Sequence, residues 1–235
     1  MGHTILLDGA TLSLSDLLAI ADDGAQVELA PAARARVAAA RAVVDAKAVG
    51  NEPVYGVNTG FGNFAETRIA QADLAALQLN LLRSHAAGVD EPLPVRAVRA
   101  AMALRANVLA KGYSGIRVET LEALLALLNR RVHPRVPSRG SVGASGDLAP
   151  LAHLALVLVG EGDTWDQGIR LSGAAALLAA GLAPLVLGPK EGLARINGTQ
   201  VSTAVLALAL AGAERLCRAA DVAAALSIEA AYNRL

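Results

Sequence analysis

Gly140-Ser141-Val142-Gly143-Ala144-Ser145-Gly146-Asp147-Leu148-Ala149-Pro150 is the stretch on which the reading of this chain turns. Three small residues, Ala144, Ser145 and Gly146, sit at its centre. Glycine tolerates dihedrals that other residues resist, so the backbone can fold tightly enough for the Gly146 nitrogen to attack the Ala144 carbonyl. Loss of water closes a ring. If Ser145 then loses its hydroxyl as a second water, the product is a methylidene-imidazolone, an electrophile that no standard side chain supplies. Two other glycine-rich readings fail on the residues. A phosphate-binding P-loop needs Lys and then Ser or Thr after its last glycine, whereas Asp147 and Leu148 follow Gly146. A hydrolase nucleophile elbow needs glycine two residues to either side of the serine, and Asp147 occupies one of those places. Asp147 reads as the N-cap of a helix over 148–159, with Pro150 tolerated in its first turn. Taken alone, the loop reads either as a turn ahead of that helix or as a site.

Outward from the loop, helical signals dominate. Short strand-like runs at 4–7 and 27–29 flank a small helix near 15–21, for which Ser15 is a reasonable cap. Pro31 opens an alanine-rich helix to about Ala48. Residues 52–67 carry Gly, Asn and Thr without periodicity and read as a loop. A helix over 71–87 places Leu74, Leu77, Leu81 and His85 on one face, and the stripe Val95, Val98, Met102, Arg105 and Leu109 predicts another helix ending near Gly112. Leu121, Leu124, Leu125 and Leu128 mark a third, over 118–131. Residues 171–188 read as a short helix, a loop and a buried strand at 184–187. The run 200–232 is apolar on nearly every side, which suits a helix central to a large protein or covered by partners.

The chain has 235 residues, 54% of them hydrophobic and 18% charged, enough to bury a large core. Lys plus Arg and Asp plus Glu each number 21, and no basic face with interleaved aromatics emerges, which argues against nucleic acid as a partner. The longest nearly uncharged run, 171–188, is broken by Gly173, Gly181 and Pro184, so no membrane span is expected there. Asp8 and Asp16 near the start, with no basic flank and apolar core, give no sign of a signal peptide. Cys217 is the only cysteine, which excludes an internal disulfide and fits a reducing compartment, so a cytoplasmic location is expected. His3, His85, His133 and His153 lack metal-ligand spacing, and no metal is expected.

Three further motifs frame the loop: Tyr55-Gly56-Val57-Asn58-Thr59-Gly60-Phe61-Gly62, Leu77-Gln78-Leu79-Asn80-Leu81-Leu82-Arg83-Ser84-His85, and Gly188-Pro189-Lys190-Glu191-Gly192 with Ile196-Asn197-Gly198-Thr199-Gln200. On the residues alone, each has an ordinary reading: a loop tyrosine, a core histidine on an apolar helix face, an asparagine at a helix boundary. Together, and in this order, they resemble the aromatic amino acid ammonia-lyases and aminomutases. From about Leu6 to Glu229 the chain looks like the amino-terminal part of the histidine ammonia-lyase branch.

That resemblance implies a mainly α fold with a few short β-strands, residues 1–235 forming one amino-terminal domain that stops before the rest of a central helical bundle. It implies that Ala144, Ser145 and Gly146 become the methylidene-imidazolone, that Tyr55 and Asn197 act beside it, and that Asp147 supports the loop. It implies that Ser84-His85 is the selectivity pair, since Ser-His is typical of the histidine-selective branch, and that an imidazole there meets an imidazole substrate. The implied activity is elimination of ammonia from L-histidine to give trans-urocanate, in a homotetramer. A tyrosine or phenylalanine lyase and a 2,3-aminomutase are the near alternatives. Two departures stand out. Arg195 occupies a place that is usually apolar in the family. Family members are also far longer, and their other half supplies a second catalytic tyrosine, an arginine for the substrate carboxylate and an acidic residue. A truncated fragment that only folds or assembles is therefore the alternative of another class. Arg139 and His153, close to the loop, are read as structural.

Overall fold

In the computed structural model of the chain, residues 4–143, 146–166 and 168–232 are described. Helices carry the architecture: α1 (Leu14–Leu18), α2 (Pro31–Val49), α3 (Leu74–His85), α4 (Val95–Ala110), α5 (Val118–Asn129), α6 (Leu148–Leu158), α7 (Gly173–Ala179), α8 (Glu191–Ile196) and α9 (Gln200–Tyr232). Three two-stranded pairs trim them. β1 (Thr4–Leu7) runs parallel to β2 (Gln26–Leu29), β3 (Val89–Pro92) antiparallel to β4 (Pro137–Arg139), and β5 (Asp163–Asp166) antiparallel to β6 (Ile169–Ser172).

The expected strands at 4–7 and 27–29 are present, and they pair because α1 forms the crossover between them. The outer edge of β2 is closed by Asn129 at the end of α5, whose side-chain amide exchanges two 2.9 Å hydrogen bonds with the Val27 backbone. The cap of α1 is Ser13 rather than Ser15: its hydroxyl accepts from the Asp16 N–H while Asp16 reaches back to the Ser13 N–H, a reciprocal capping box that Ser15 is too late in the helix to make. The strand expected at 184–187 is absent. That segment joins no sheet; its Leu185 N–H donates to the Leu158 carbonyl at 2.8 Å, and of its apolar residues only Leu187 is buried while Val186 is exposed. Pro184 and the lack of a neighbouring strand edge explain the outcome.

α4 is buried almost all round, because Ala97, Ala100, Ala101, Ala103 and Ala106 let its neighbours approach closely, with Val98, Met102 and Leu109 filling the space between. It packs against α9, α5 and α2, and one continuous apolar cluster runs from Ile5 in β1 to Leu208 in α9. On α3 the buried face is Leu74, Gln78, Leu81 and Leu82, not the predicted Leu74, Leu77, Leu81 and His85. Gln78 displaces Leu77 from that face because its amide is needed inside, as shown below.

α9 buries Gln200, Val201, Ala204, Leu208 and Ala211 against the body of the protein. From 213 onward, roughly 30 Å of helix at 1.5 Å per residue, every described residue is exposed, Leu216, Val222, Leu226 and Ile228 included. The stretch Glu191–Tyr232 is long and apolar enough to cross a membrane by length and composition, although 197–199 interrupt it and its early residues already lie in the core. Shortening the fully buried Met102 at the centre of α4 tests the packing. Met102→Ala should lower the unfolding free energy by about 2–5 kcal/mol, read from the denaturant midpoint.

Candidate active site

β4 delivers the chain into the loop at Gly140, where φ is +144° and a Cβ would lie 3.0 Å from the Gly88 Cα and 3.3 Å from the Ala149 Cβ. The segment just after α3 is thereby pressed against the start of α6. The expected electrophile residues Ala144 and Ser145 lie outside the described residues. Gly146, the third member, is described, and it has the conformation the sequence demanded: φ is +112°, and a Cβ would meet Leu148 Cδ1 at 3.0 Å and the Gly198 carbonyl oxygen at 3.4 Å. The Gly146 N–H donates to the Gly143 carbonyl at 2.8 Å, so the chain on either side of the pair comes together. Only glycine suits that conformation and that clearance, and so the described residues fit a ring closed through the Gly146 nitrogen.

Asp147 is fully buried. It stands at the N-cap position of α6, as its sequence position suggested, and its carbonyl accepts from the Leu151 N–H at 2.9 Å, but its side chain makes no capping bond there: Pro150 stands third in that helix and has no N–H to offer. Its carboxylate accepts instead from the Ser202 N–H at 2.7 Å, the Ser202 hydroxyl at 2.6 Å and the Ser141 hydroxyl at 2.5 Å. Asp147 thus caps α9, where the helix N-terminus favours an anion. The Asp147 N–H donates to the Gly198 carbonyl at 2.7 Å. Ser141 also accepts from the Gly143 N–H at 3.1 Å, so one hydroxyl ties both limbs of the loop.

Asn197 closes α8, its N–H donating to Leu193 at 3.1 Å and its side chain exposed. One residue on, Gly198 touches Asp147 and lies too close to Arg105 and Gln200 for any side chain. Arg105 donates to Gln200 Oε1 at 2.6 Å and to the Ala194 carbonyl, which fastens the α8–α9 junction to α4. Burial, with Arg195 nearby, lowers the Arg105 pKa to about 10. Arg195, the departure from the family pattern, is buried rather than set in the site and donates to the Thr120 carbonyl at 3.0 Å. Its pKa is also lowered to about 10, chiefly by burial, so it stays charged at neutral pH.

The charge of Arg195 is answered in part by the buried carboxylate of Glu191. Glu191 is fully buried and accepts from Arg117 Nη2 at 2.5 Å, the Arg117 N–H at 3.0 Å and the Gly188 N–H at 2.7 Å. Burial alone would raise its pKa, but Arg117 and these backbone donors outweigh burial and hold it at about 2.

Tyr55 is half exposed, and its ring meets Phe61 edge-on with centroids 6.0 Å apart. The loop around it is shaped by buried Asn58, which accepts from the Val54 N–H at 2.7 Å and donates to the Glu52 carbonyl at 3.0 Å. Gln78 joins this loop to α8. Its Oε1 accepts from the Gly192 and Leu193 N–H groups at 2.9 and 3.2 Å, while its Nε2 donates to the Gly56 carbonyl at 3.4 Å.

Ser84 is exposed and His85 half-buried at the end of α3. His85 Nδ1 lies 2.9 Å from the Leu81 carbonyl. A carbonyl only accepts, so Nδ1 carries a proton, and in the neutral ring Nε2 is left as an acceptor. Arg139 pairs with Asp90 at 2.8 Å, and His153 accepts from the Gly88 N–H at 3.0 Å, as structural roles require.

The structure therefore brings Gly146 and Asp147 into backbone contact with the Asn197–Gly198 corner. It links Tyr55 to that corner through Gln78, and it carries the Ser84-His85 end of α3 toward the loop through Gly88. Gln78, Glu191, Arg105, Arg117 and Ser202 were not singled out from sequence. Each acts through a long-range partner that local spacing does not display.

A glycine-rich loop packed against the α8–α9 corner of a helical scaffold defines the candidate site, and residues 12–233 match the family model for aromatic amino acid lyases. The chain belongs to that family. It is 59% identical over 234 residues to the histidine ammonia-lyase of Anaeromyxobacter dehalogenans (strain 2CP-C), covering 97% of this chain and 46% of that protein. It is 58% identical to that of Myxococcus xanthus (strain DK1622), covering 96% and 44%. The crystal structure of histidine ammonia-lyase from Trypanosoma cruzi superposes with a TM-score of 0.86 at 43% identity, over 94% of this chain and 42% of that one. Ergothionase from Treponema denticola gives 0.87 at 36%, over 91% and 43%. The chain thus spans about half the length of these relatives.

Removing the Glu191 charge tests the buried pair. Glu191→Gln should destabilise the protein by roughly 3 kcal/mol, the low end for breaking a buried pair because Arg117 is partly wet. A carboxyl held at about 2 in the folded state contributes stability above its ordinary value near 4.5 and loses it as pH falls toward 2. Chemical unfolding across that window should show a shallower acid loss in the variant than in the parent.

Proposed function

We propose that this chain carries the prosthetic-group half of a histidine ammonia-lyase site, acting on L-histidine to give trans-urocanate and ammonia. The observation that carries the reading is the backbone contact between Gly146-Asp147 and Gly198, which puts Asn197 one residue from the tripeptide. The relatives' names support the substrate class. The β-proton of histidine is weakly acidic and ammonia leaves poorly, so elimination needs electron density drawn away from the substrate. A methylidene-imidazolone formed from Ala144, Ser145 and Gly146 would supply that sink.

The chain's own residues do the rest. Asn197 offers an exposed amide for the substrate amino group, and Tyr55 offers a phenol for proton movement. Ser84 and His85 hold the ring of the substrate: with Nδ1–H committed to Leu81, the His85 Nε2 accepts from an imidazole N–H. Asp147 holds the loop and takes no part in proton transfer. No metal ion enters this scheme. A cytoplasmic location is part of the proposal, supported by a single exposed cysteine. So is a homotetramer, supported by the bare apolar length of α9 beyond Ala211.

Incubating the purified chain with L-histidine should produce urocanate, followed by its ultraviolet absorbance, and Ser145→Ala should abolish it. Turnover retained by Ser145→Ala would overturn the assignment. The reading in which this chain only folds or assembles, favoured by the same bare helix, predicts no urocanate even where the tripeptide has cyclised.

A further inference from the structure

We infer that Ser202 and Ser141, acting on Asp147, form a clamp that sets the rate at which Ala144-Ser145-Gly146 cyclises, which makes both serines positioning residues for the maturation on which the proposed function rests. The geometry is a closed circuit. Asp147 takes both hydrogen-bond donors of Ser202 at 2.6 and 2.7 Å, from the third residue of α9. The same Oδ1 that takes the Ser202 hydroxyl also takes the Ser141 hydroxyl at 2.5 Å, and Ser141 in turn accepts from the Gly143 N–H. The Gly146 N–H already lies on the Gly143 carbonyl at 2.8 Å. The residues just before and just after the reacting pair are therefore fixed to one fully buried carboxylate, itself anchored on the first turn of a 33-residue helix.

Cyclisation is limited by placement. An amide nitrogen is a poor nucleophile, and its attack on a near carbonyl gains rate chiefly from being held in place. In the first step the Gly146 N–C bond to the Ala144 carbonyl carbon forms, and that carbonyl oxygen leaves as water with the Gly146 and Ser145 amide protons. In the second, the Ser145 hydroxyl leaves as water with the Ser145 Cα proton. No oxidant is needed. Neither serine reacts: each fixes where the Gly146 nitrogen sits, and the Ser202 hydroxyl does so from a helix remote in sequence, which couples the seating of α9 to ring closure.

The test is the intact mass of freshly synthesised chain followed over time, since each ring matured removes two waters. The parent should lose both. Ser202→Ala should slow the loss roughly tenfold to a hundredfold, the scale on which small misplacements act, whereas Ser202→Thr, which keeps the hydroxyl, should restore it. Ser227→Ala, whose hydroxyl meets only Ala223 on the exposed end of α9, should mature like the parent. A folded Ser202→Ala chain that loses both waters at the parental rate overturns the clamp. Should Ser202→Ala fail to fold, Ser141→Ala, on the exposed side of the circuit, gives the same reading: slowed loss supports the clamp and parental loss overturns it. A parent whose mass never shifts overturns the proposed function and the clamp together, which separates the two failures.

Discussion

Much of this architecture hangs from one buried carboxylate. Asp147 meets two donors from Ser202 and one from Ser141, and hydrogen bonds to a charged acceptor contribute roughly 1.5–3 kcal/mol each. The partners belong to a loop, a helix start and, through the Asp147 N–H, the corner at Gly198. Withdrawing the carboxylate would leave the first turn of α9 with an unanswered N–H and the loop without its tie. The placement also uses the dipole of a long helix, whose N-terminus stabilises a nearby anion.

From that point the constraints spread outward through charge. With α9 seated, Gln200 receives Arg105 and the corner at Gly198 has no room for a side chain. Two arginines, Arg105 and Arg195, then lie buried, with the fully buried carboxylate of Glu191 acting on Arg195 while Arg117 partners Glu191 from the rim. Such an excess of buried cation is costly unless donors are used: Arg105 donates to the Ala194 carbonyl and Gln200 and Arg195 to the Thr120 carbonyl, while the Nε of each has no partner among the described residues. The cost has a structural return: α4, α5, α8 and α9 are held in one register around the corner that presents Asn197. Gln78 performs the neutral counterpart, joining α3, α8 and the Tyr55 loop through one amide.

Sequence made the helices legible because their apolar residues recur at helical spacing, and the tripeptide legible because its chemistry is local. The strands at 4–7 and 27–29 were visible as runs, but their parallel pairing depends on the intervening helix. Side-chain destinations were less legible. Asp147 stands at the N-cap position of the helix beside it, as its place in the sequence suggested, but its side chain caps α9, 55 residues away in sequence. Arg195 stood where the family is usually apolar and proved to serve the Thr120 carbonyl in the core. Leu77 looked buried, yet Gln78 holds the inner face because three backbone groups needed an amide there. In each case a polar side chain was satisfied by a distant backbone group, and periodicity carries no information about such partners.

The central claim is that Ala144, Ser145 and Gly146 close into an electrophile held beside the Asn197 corner. The mass of the tryptic peptide spanning 140–170, taken from folded protein, tests it most directly. The account predicts a peptide lighter than its encoded mass by two waters, with fragmentation placing the loss on residues 144–146. A peptide of full encoded mass, from protein that still turns L-histidine into urocanate, would contradict it.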